Sequence, residues 1–462
     1  MALVKLKEII DPSVPQKIEI DDNAKIGGEG SVYFSVDGKY AVKIYHETVP
    51  QREVLLKKIM RLFKTLPADQ EKFILPPLAL VDTHEGKEAT GFIMRRVDAQ
   101  FEELIYLMMS PVKAASYFER GYTWAHYLRL TRSITNALVV LHGKGCAHTD
   151  IHYKNFLVNI DSGEAVMLEM DGVVVRGFLP PQVMGMYGFM APEILKDGAS
   201  PSERTDRHSL AVLILYTLLF RNPLQPLVEY DSDPNESDKL GWGKYALFSE
   251  HPSDNKNRPS NLGIPLYQNG ALSYKMLPPS LQKLTERALI DGLFAPEKRP
   301  SSREWEEALA HSIDELWKCE VCHQYFPYPY WIPSLSKRMC PFCGTVVKYL
   351  PLIVEVYEKR WKDNFSFIGK RIVLSNGFKI FDDMIIPNHK PPFSRKDSKI
   401  VGEIIWLHNK YGILNRSTEA WKLKSNNGNI KIIRKGEHIE LNRNDLILFG
   451  ENNRVFKVVQ TY

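Results

Sequence analysis

One stretch of eight residues constrains this chain more than any other: His148-Thr149-Asp150-Ile151-His152-Tyr153-Lys154-Asn155. The spacing His-x-Asp-x-x-x-x-Asn provides a carboxylate that can orient and deprotonate a hydroxyl, and an amide oxygen that can bind a metal ion. It follows a helical pattern ending in Leu141-His142-Gly143-Lys144-Gly145 and precedes two strand-like runs, FLVNI and AVMLEM. Such a segment needs a packed core beneath it. The chain has 462 residues, 44% hydrophobic and 25% charged, ordinary for a globular protein of about three domains. That composition excludes a mostly disordered chain, a coiled coil and a collagen-like fibre. No apolar run reaches the roughly 18 residues of a membrane span; the longest, 210–220, is short enough for a buried helix. The N-terminus lacks the pattern of a secretory signal, so the expected location is the cytoplasm.

Further phosphate-handling motifs surround this stretch. Ile26-Gly27-Gly28-Glu29-Gly30-Ser31-Val32-Tyr33 lies between two strand-like runs. A glycine-rich hairpin there lets backbone amides approach phosphates, although alone it could be an ordinary turn. Ala41-Val42-Lys43 follows on the next strand and can aim an ammonium at the same phosphates. Asp171-Gly172 ends a later strand and offers a second metal ligand. Met190-Ala191-Pro192-Glu193, Asp206 at the start of the apolar helix, and Arg299-Pro300 complete the series. Strand patterns run over 18–45, in FILPPLALVD and in ATGFIMRRV. Helical patterns cover 50–64, the region from 124, 205–220, 278–292 and 301–317. Residues 227–265 read as a long loop, and short β runs follow 352.

Taken together and in this order, these residues resemble the eukaryotic-type protein kinase fold over about 20–312. The resemblance implies an α+β, bilobal architecture with an N-lobe over 1–98 and a C-lobe over 99–315. It also implies a serine/threonine protein kinase using ATP and Mg²⁺. Gly27, Gly28 and Gly30 match the phosphate loop, with Val32, Ala41 and Met94 lining the nucleotide. Lys43 matches the lysine on the α- and β-phosphates, and Glu53, the only acid of the 50–64 helix, its carboxylate partner. Asp150 matches the catalytic aspartate. Asn155 and Asp171 match the two Mg²⁺ ligands. Glu193 and Arg299 match a buried ion pair, and Asp206 the brace of the catalytic loop. The departures are Lys25 at the first glycine, Thr149 for the arginine before Asp150, His152 for a lysine, Gly172 for a phenylalanine, and Met186 for a threonine. His-x-Asp-x-His-x-x-Asn also marks small-molecule kinases similar to aminoglycoside and choline kinases, which lack Ala-Pro-Glu and the Glu193/Arg299 pair. A nucleotide-binding pseudokinase scaffold is a further alternative, disfavoured because Lys43, Asp150, Asn155 and Asp171 are all present.

Four of the five cysteines form two pairs, Cys319-x-x-Cys322 and Cys340-Pro-Phe-Cys343-Gly344. Two such knuckles supply four thiolates for a tetrahedral Zn²⁺, with no position left open for catalysis. A zinc ribbon is therefore expected over 316–350, and the remaining Cys146 reads as a buried apolar residue. Tyr325-Phe326-Pro327-Tyr328-Pro329-Tyr330-Trp331 reads as packing for this small module rather than as a nucleic-acid surface.

Residues 353–462 carry 20 Lys/Arg against 12 Asp/Glu, in a chain of net charge +5. The positive charges are scattered, as on a solvated surface. The segment 351–462 resembles a forkhead-associated domain, a phosphothreonine-binding β-sandwich. The resemblance rests on Ser394-Arg395, Ser425-Asn426-Asn427-Gly428 and Asp445-Leu446-Ile447-Leu448-Phe449-Gly450, with Asp397 in place of the family's histidine. The kinase, zinc ribbon and β module together resemble a bacterial family in tellurite-resistance-associated phosphorylation modules. That resemblance implies a metal-dependent serine/threonine phosphatase and a von Willebrand A domain protein as partners beside the protein substrate. The loop from Gly172 to Met190 contains no Ser or Thr, only Tyr187. With Thr149 carrying no charge, activation is expected not to require a loop phosphate.

Overall fold

The structure, a computed structural model, describes residues 2–461 apart from 48–49, 109–110, 179–184, 259–271, 349, 362–363, 388–391, 393–394, 396–397 and 452. Ser394 and Asp397 therefore lie outside the described residues. Contacts divide the chain into two compact units. The first takes in 1–117, 130–261 and 283–306, and the second 118–129, 262–282 and 307–462.

The first unit opens on an antiparallel sheet. Its strands are β1 Ala2–Lys7, β2 Lys17–Ile20, β3 Lys25–Ile26, β4 Gly30–Phe34, β5 Tyr40–Tyr45, β6 Ala79–His84, β7 Lys87–Glu88 and β8 Gly91–Arg95. The order is β2-β1-β6-β8-β5-β4-β3, with β7 paired to β6. No strand was expected from the first sixteen residues. Yet Ala2, Val4 and Leu6 alternate with exposed neighbours, bury into the sheet core with Ile18, Ile20, Val42 and Ile93, and so make β1 a paired inner strand. Helix α1, Pro50–Phe63, packs Leu56 and Met60 against Tyr45, Leu80 and Phe92.

The rest of the first unit is mainly helical. Helix Glu203–Leu219 starts with a Ser202/Thr205 capping box and buries almost every residue from Asp206 to Leu219, as a short apolar run should. The strands Phe156–Asn159 and Glu164–Met167 pair just beyond the 148–155 stretch. The expected long loop at 227–265 is corrected in part: Pro234–Trp242 is a helix, started by Asp233 accepting from the Asn235 N–H and by Pro at its first turn. A turn-rich composition hid this helix because Asp, Pro and Ser are also helix-starting residues.

In the second unit, the hairpin of Leu316–Lys318 and Tyr325–Pro327 carries the first cysteine pair. Beyond it stand a six-stranded and a four-stranded antiparallel sheet. They share one core in which Val354, Ile372, Ile404, Ile413, Trp421, Phe449 and Phe456 are buried. Beside this core lies a buried ion cluster. Lys370 Nζ meets Asp314 at 2.8 Å, and Arg395 reaches Asp314 at 2.9 Å and Asp383 at 3.0 Å. Arg395 thus has its guanidinium on two carboxylates. No helix among the described residues is long and apolar enough to cross a membrane.

Candidate active site

The strand alternation of β5 sends Lys43 and Tyr45 to one face. Opposite that face, the segment after strand Glu164–Met167 brings Glu169 and Asp171. Lys43 is buried and bonds both, at 2.9 Å to Glu169 Oε2 and 2.8 Å to Asp171 Oδ2. Burial lowers the Lys43 pKa, but the two carboxylates outweigh it and hold the amine above its usual value. Asp171 shows the mirror effect: burial pushes its carboxyl up, and Lys43 and the Tyr45 hydroxyl bring it below its usual value.

The expected Lys43–Glu53 pair is not formed. Glu53 faces away from the cleft, bonding Lys7 at 3.2 Å and Lys57 at 3.1 Å. The latter pair is an i,i+4 contact on the outside of α1. Glu169 takes the lysine instead. Glu169 adopts a left-handed backbone, φ 55 and ψ 40, a conformation that costs a non-glycine residue about 1 kcal/mol or more. The adjacent residue of α1, Arg52, does enter the cleft, where its guanidinium stacks 4.2 Å from the Tyr45 ring centroid and pairs with Glu29 at 3.3 Å. Glu169, Tyr45 and Arg52 were not singled out from the sequence. The available signal was the two-residue spacing: Tyr45 follows Lys43, and Glu169 precedes Asp171, by one step of a strand period.

The 148–155 stretch is held by the buried Asp206. Asp206 accepts the backbone N–H of His148 at 2.7 Å and of Thr149 at 2.9 Å, and meets His142 Nε2 at 3.1 Å. His152 Nδ1 accepts from the Lys154 N–H, so its Nε2 carries the proton and donates to Asp150 Oδ2 at 3.2 Å. Asn155 Nδ2 donates to the Asp150 carbonyl at 2.8 Å and to Oδ2 at 3.2 Å. Burial pushes the Asp150 carboxyl up, but these donors and the two imidazoles hold it below its usual value. Asp150 is therefore ionised, with its carboxylate free to accept a hydrogen bond from a hydroxyl. Further out, Arg299 grips Glu193 with two bonds, 2.7 and 2.8 Å.

Apart from Glu53, the expected nucleotide- and metal-site residues line one cleft. A cavity of about 460 Å³ is bounded by Gly27, Gly28, Gly30, Val32, Lys43, Asp150, Asn155, Glu169 and Asp171. A second, of about 520 Å³, shares Val32, Lys43 and Asp171 and adds the apolar Ala41, Phe92, Met94, Leu157 and Met170. The second cavity thus adds an apolar wall, while Arg95, Arg96, Asp98 and Glu103 also line it. Gly30 is required by close approach, since a Cβ would lie 2.5 Å from the Ile44 carbonyl oxygen, whereas a Cβ on Gly28 would meet nothing within 4 Å.

Two sites offer donors for metal ions. In the cleft, Asp171 Oδ1 is buried and has no hydrogen-bond partner among the described residues, an orphan acceptor that fits a hard divalent cation. In the second unit, the sulfurs of Cys319, Cys322, Cys340 and Cys343 lie within 4.8 Å of one another. The Cys319–Cys343 and Cys322–Cys340 separations are both 3.6 Å, close to the ~3.8 Å edge of a tetrahedron with 2.3 Å Zn–S bonds. Each knuckle turns through a left-handed residue, His323 or Gly344. Cys146 is buried, and no disulfide joins the described cysteines.

Comparison with known proteins adds to this geometry. The protein kinase domain model matches residues 29–312. A probable receptor-like protein kinase of Arabidopsis thaliana is 26% identical over 197 residues, 39% of this chain and 38% of the relative. A probable L-type lectin-domain containing receptor kinase of the same plant is 23% identical over 215 residues, 43% of this chain and 31% of the relative. The aligned part is thus about a third of the length of these relatives.

Proposed function

This chain belongs to the protein kinase domain family, and from that membership we propose that it transfers the γ-phosphoryl group of ATP to a serine or threonine hydroxyl of a protein. The observation that carries the reading is the convergence of Lys43, Asp150, Asn155 and Asp171 on one cleft, beside an apolar wall of Val32, Ala41, Met94 and Leu157 on which a purine can pack. Asp150 accepts the proton of the attacking hydroxyl. Lys43 neutralises phosphate charge, and Asn155 and Asp171 would hold Mg²⁺, which would supply charge neutralisation at the transferred group. Asp206 keeps the loop in place so that reacting groups are positioned rather than searched for.

Residues 316–350 are read as a structural zinc ribbon, supported by the four converging sulfurs. Residues 351–462 are read as an interaction module resembling a forkhead-associated domain. Its partners on this reading are a metal-dependent serine/threonine phosphatase and a von Willebrand A domain protein in a bacterial cytoplasm. Arg395 is already bound by Asp314 and Asp383, which argues against its reading phosphothreonine.

The test is phosphotransfer from labelled ATP to a generic protein acceptor, followed by phosphoamino-acid analysis. Wild type should yield phosphoserine or phosphothreonine, and Asp150→Asn should lose nearly all transfer. Retained transfer in that variant refutes the catalytic assignment. Nucleotide binding without transfer by wild type would mark a scaffold.

A further inference from the structure

Asp171 divides its two oxygens. Oδ2 receives the Tyr45 hydroxyl at 2.6 Å and Lys43 Nζ at 2.8 Å, while Oδ1 is buried with no partner among the described residues. We propose that Tyr45 is a positioning residue for the divalent cation: its hydroxyl locks the Asp171 carboxylate with Oδ1 turned to the metal. The inference rests on the kinase reading above.

Three observations support it. Tyr45 is 6% exposed, and a tyrosine buried this deeply needs a partner for its hydroxyl; the Asp171 carboxylate is that partner. The ring is clamped by the Arg52 guanidinium 4.2 Å from its centroid and by Phe92, tilted at 6.2 Å. Arg52 in turn pairs with Glu29 of the glycine hairpin. The hydroxyl is therefore a fixed point rather than a swinging donor. Finally, Lys43 is shared between Asp171 and Glu169 and lines the same cavity as the glycines, so phosphates compete for it. When the lysine turns to a nucleotide, Tyr45 is the donor that stays on Oδ2. Removal of such an outer partner of a metal ligand costs about 10- to 100-fold in metal affinity.

Tyr45→Phe removes the hydroxyl and keeps the ring. Mn²⁺ binding to the full chain, measured by electron paramagnetic resonance with a non-hydrolysable ATP analogue present, should weaken about tenfold. The Mg²⁺ concentration for half-maximal phosphotransfer should rise in step, and excess Mg²⁺ should restore most of the rate. A purely structural role would not produce that rescue. A folded Tyr45→Phe with wild-type Mn²⁺ affinity overturns the inference, as does a wild type that binds no Mn²⁺. Should Tyr45→Phe not fold, Arg52→Met loosens the ring clamp, and unchanged Mn²⁺ affinity there overturns it equally. Wild type that binds Mn²⁺ but transfers no phosphate removes the kinase reading alone, because the binding arm still decides the role of Tyr45.

Discussion

Asp206 Oδ1 accepts the backbone N–H of Thr149 at 2.9 Å, across 57 positions of sequence. Thr149 sits at φ 68, a left-handed conformation that a β-branched residue avoids unless its surroundings impose it. The buried carboxylate of Asp206 imposes it here, and the second oxygen holds the His148 N–H. The residue before Asp150 thus contributes backbone geometry to the site rather than charge.

Replacing that carboxylate should be costly. Asp206→Ala leaves two buried N–H groups without acceptors, each a loss of about 1–3 kcal/mol, so thermal denaturation should shift clearly downward. Phosphotransfer should fall by about 100-fold through misplacement of Asp150. Wild-type turnover in a folded Asp206→Ala would show that the loop holds itself.

The exchange of carboxylates at Lys43 gives a contrast. Glu169→Gln should lower turnover by about tenfold, the effect expected of losing about 1.4 kcal/mol of transition-state stabilisation. Glu53→Gln, on the outer face of α1, should change it less than twofold. In a Lys43→Met background, Glu169→Gln should cost nothing further, since coupled residues lose their effect together. Equal effects of Glu53 and Glu169 would restore the helix glutamate to the lysine.

Metal content tests the cysteine cluster. Purified, reduced protein should hold about one Zn²⁺ per chain. Cys319→Ser or a strong chelator should release it and expose 316–350 to protease. Metal analysis that finds no zinc would remove the ribbon assignment.

Glu315 gives a pH signature in the second unit. It is buried, and burial, with Asp314 adding, pushes its carboxyl up from 4.5 to about 8. The folded state therefore holds a proton that the unfolded chain releases. This contribution is present in full below about pH 4.5 and is lost as pH rises toward about 8. Asp314, held down to about 2 by Lys370 and Arg395 against its burial, stays ionised throughout that window. Melting temperature should thus decline from pH 5 to pH 8, and Glu315→Gln should flatten the decline. An unchanged slope in the variant would assign it to other groups.

Control of activity gives the last prediction. Tyr187 is 51% exposed, and it is the only hydroxyl-bearing side chain from Gly172 to Met190. Phosphatase-treated protein should be active, and Tyr187→Phe should keep its rate within about twofold, a change of less than 0.5 kcal/mol in barrier. A large loss in either experiment would establish a loop phosphate as the switch.

By itself, the sequence determined whatever depends on short spacings. Asp150 and Asn155 are five residues apart, so a single turn brings them together whatever surrounds it. The two CxxC pairs each close a knuckle locally, and the alternation in 40–45 places Lys43 on a face. Alternation also marks residues 2–6, but a single six-residue strand stands out only once its neighbours in the sheet are known. The tertiary structure alone decided which groups from distant segments meet. Glu53 and Glu169 are equally acidic in sequence, and only the rotation of α1 and the left-handed turn at Glu169 place one beside Lys43 and the other beside Lys7. Arg395 could serve a phosphate or a carboxylate, and the fold set Asp314 and Asp383 against it. A buried charge takes the partner that packing brings within about 3 Å, and that distance is a property of the assembled core.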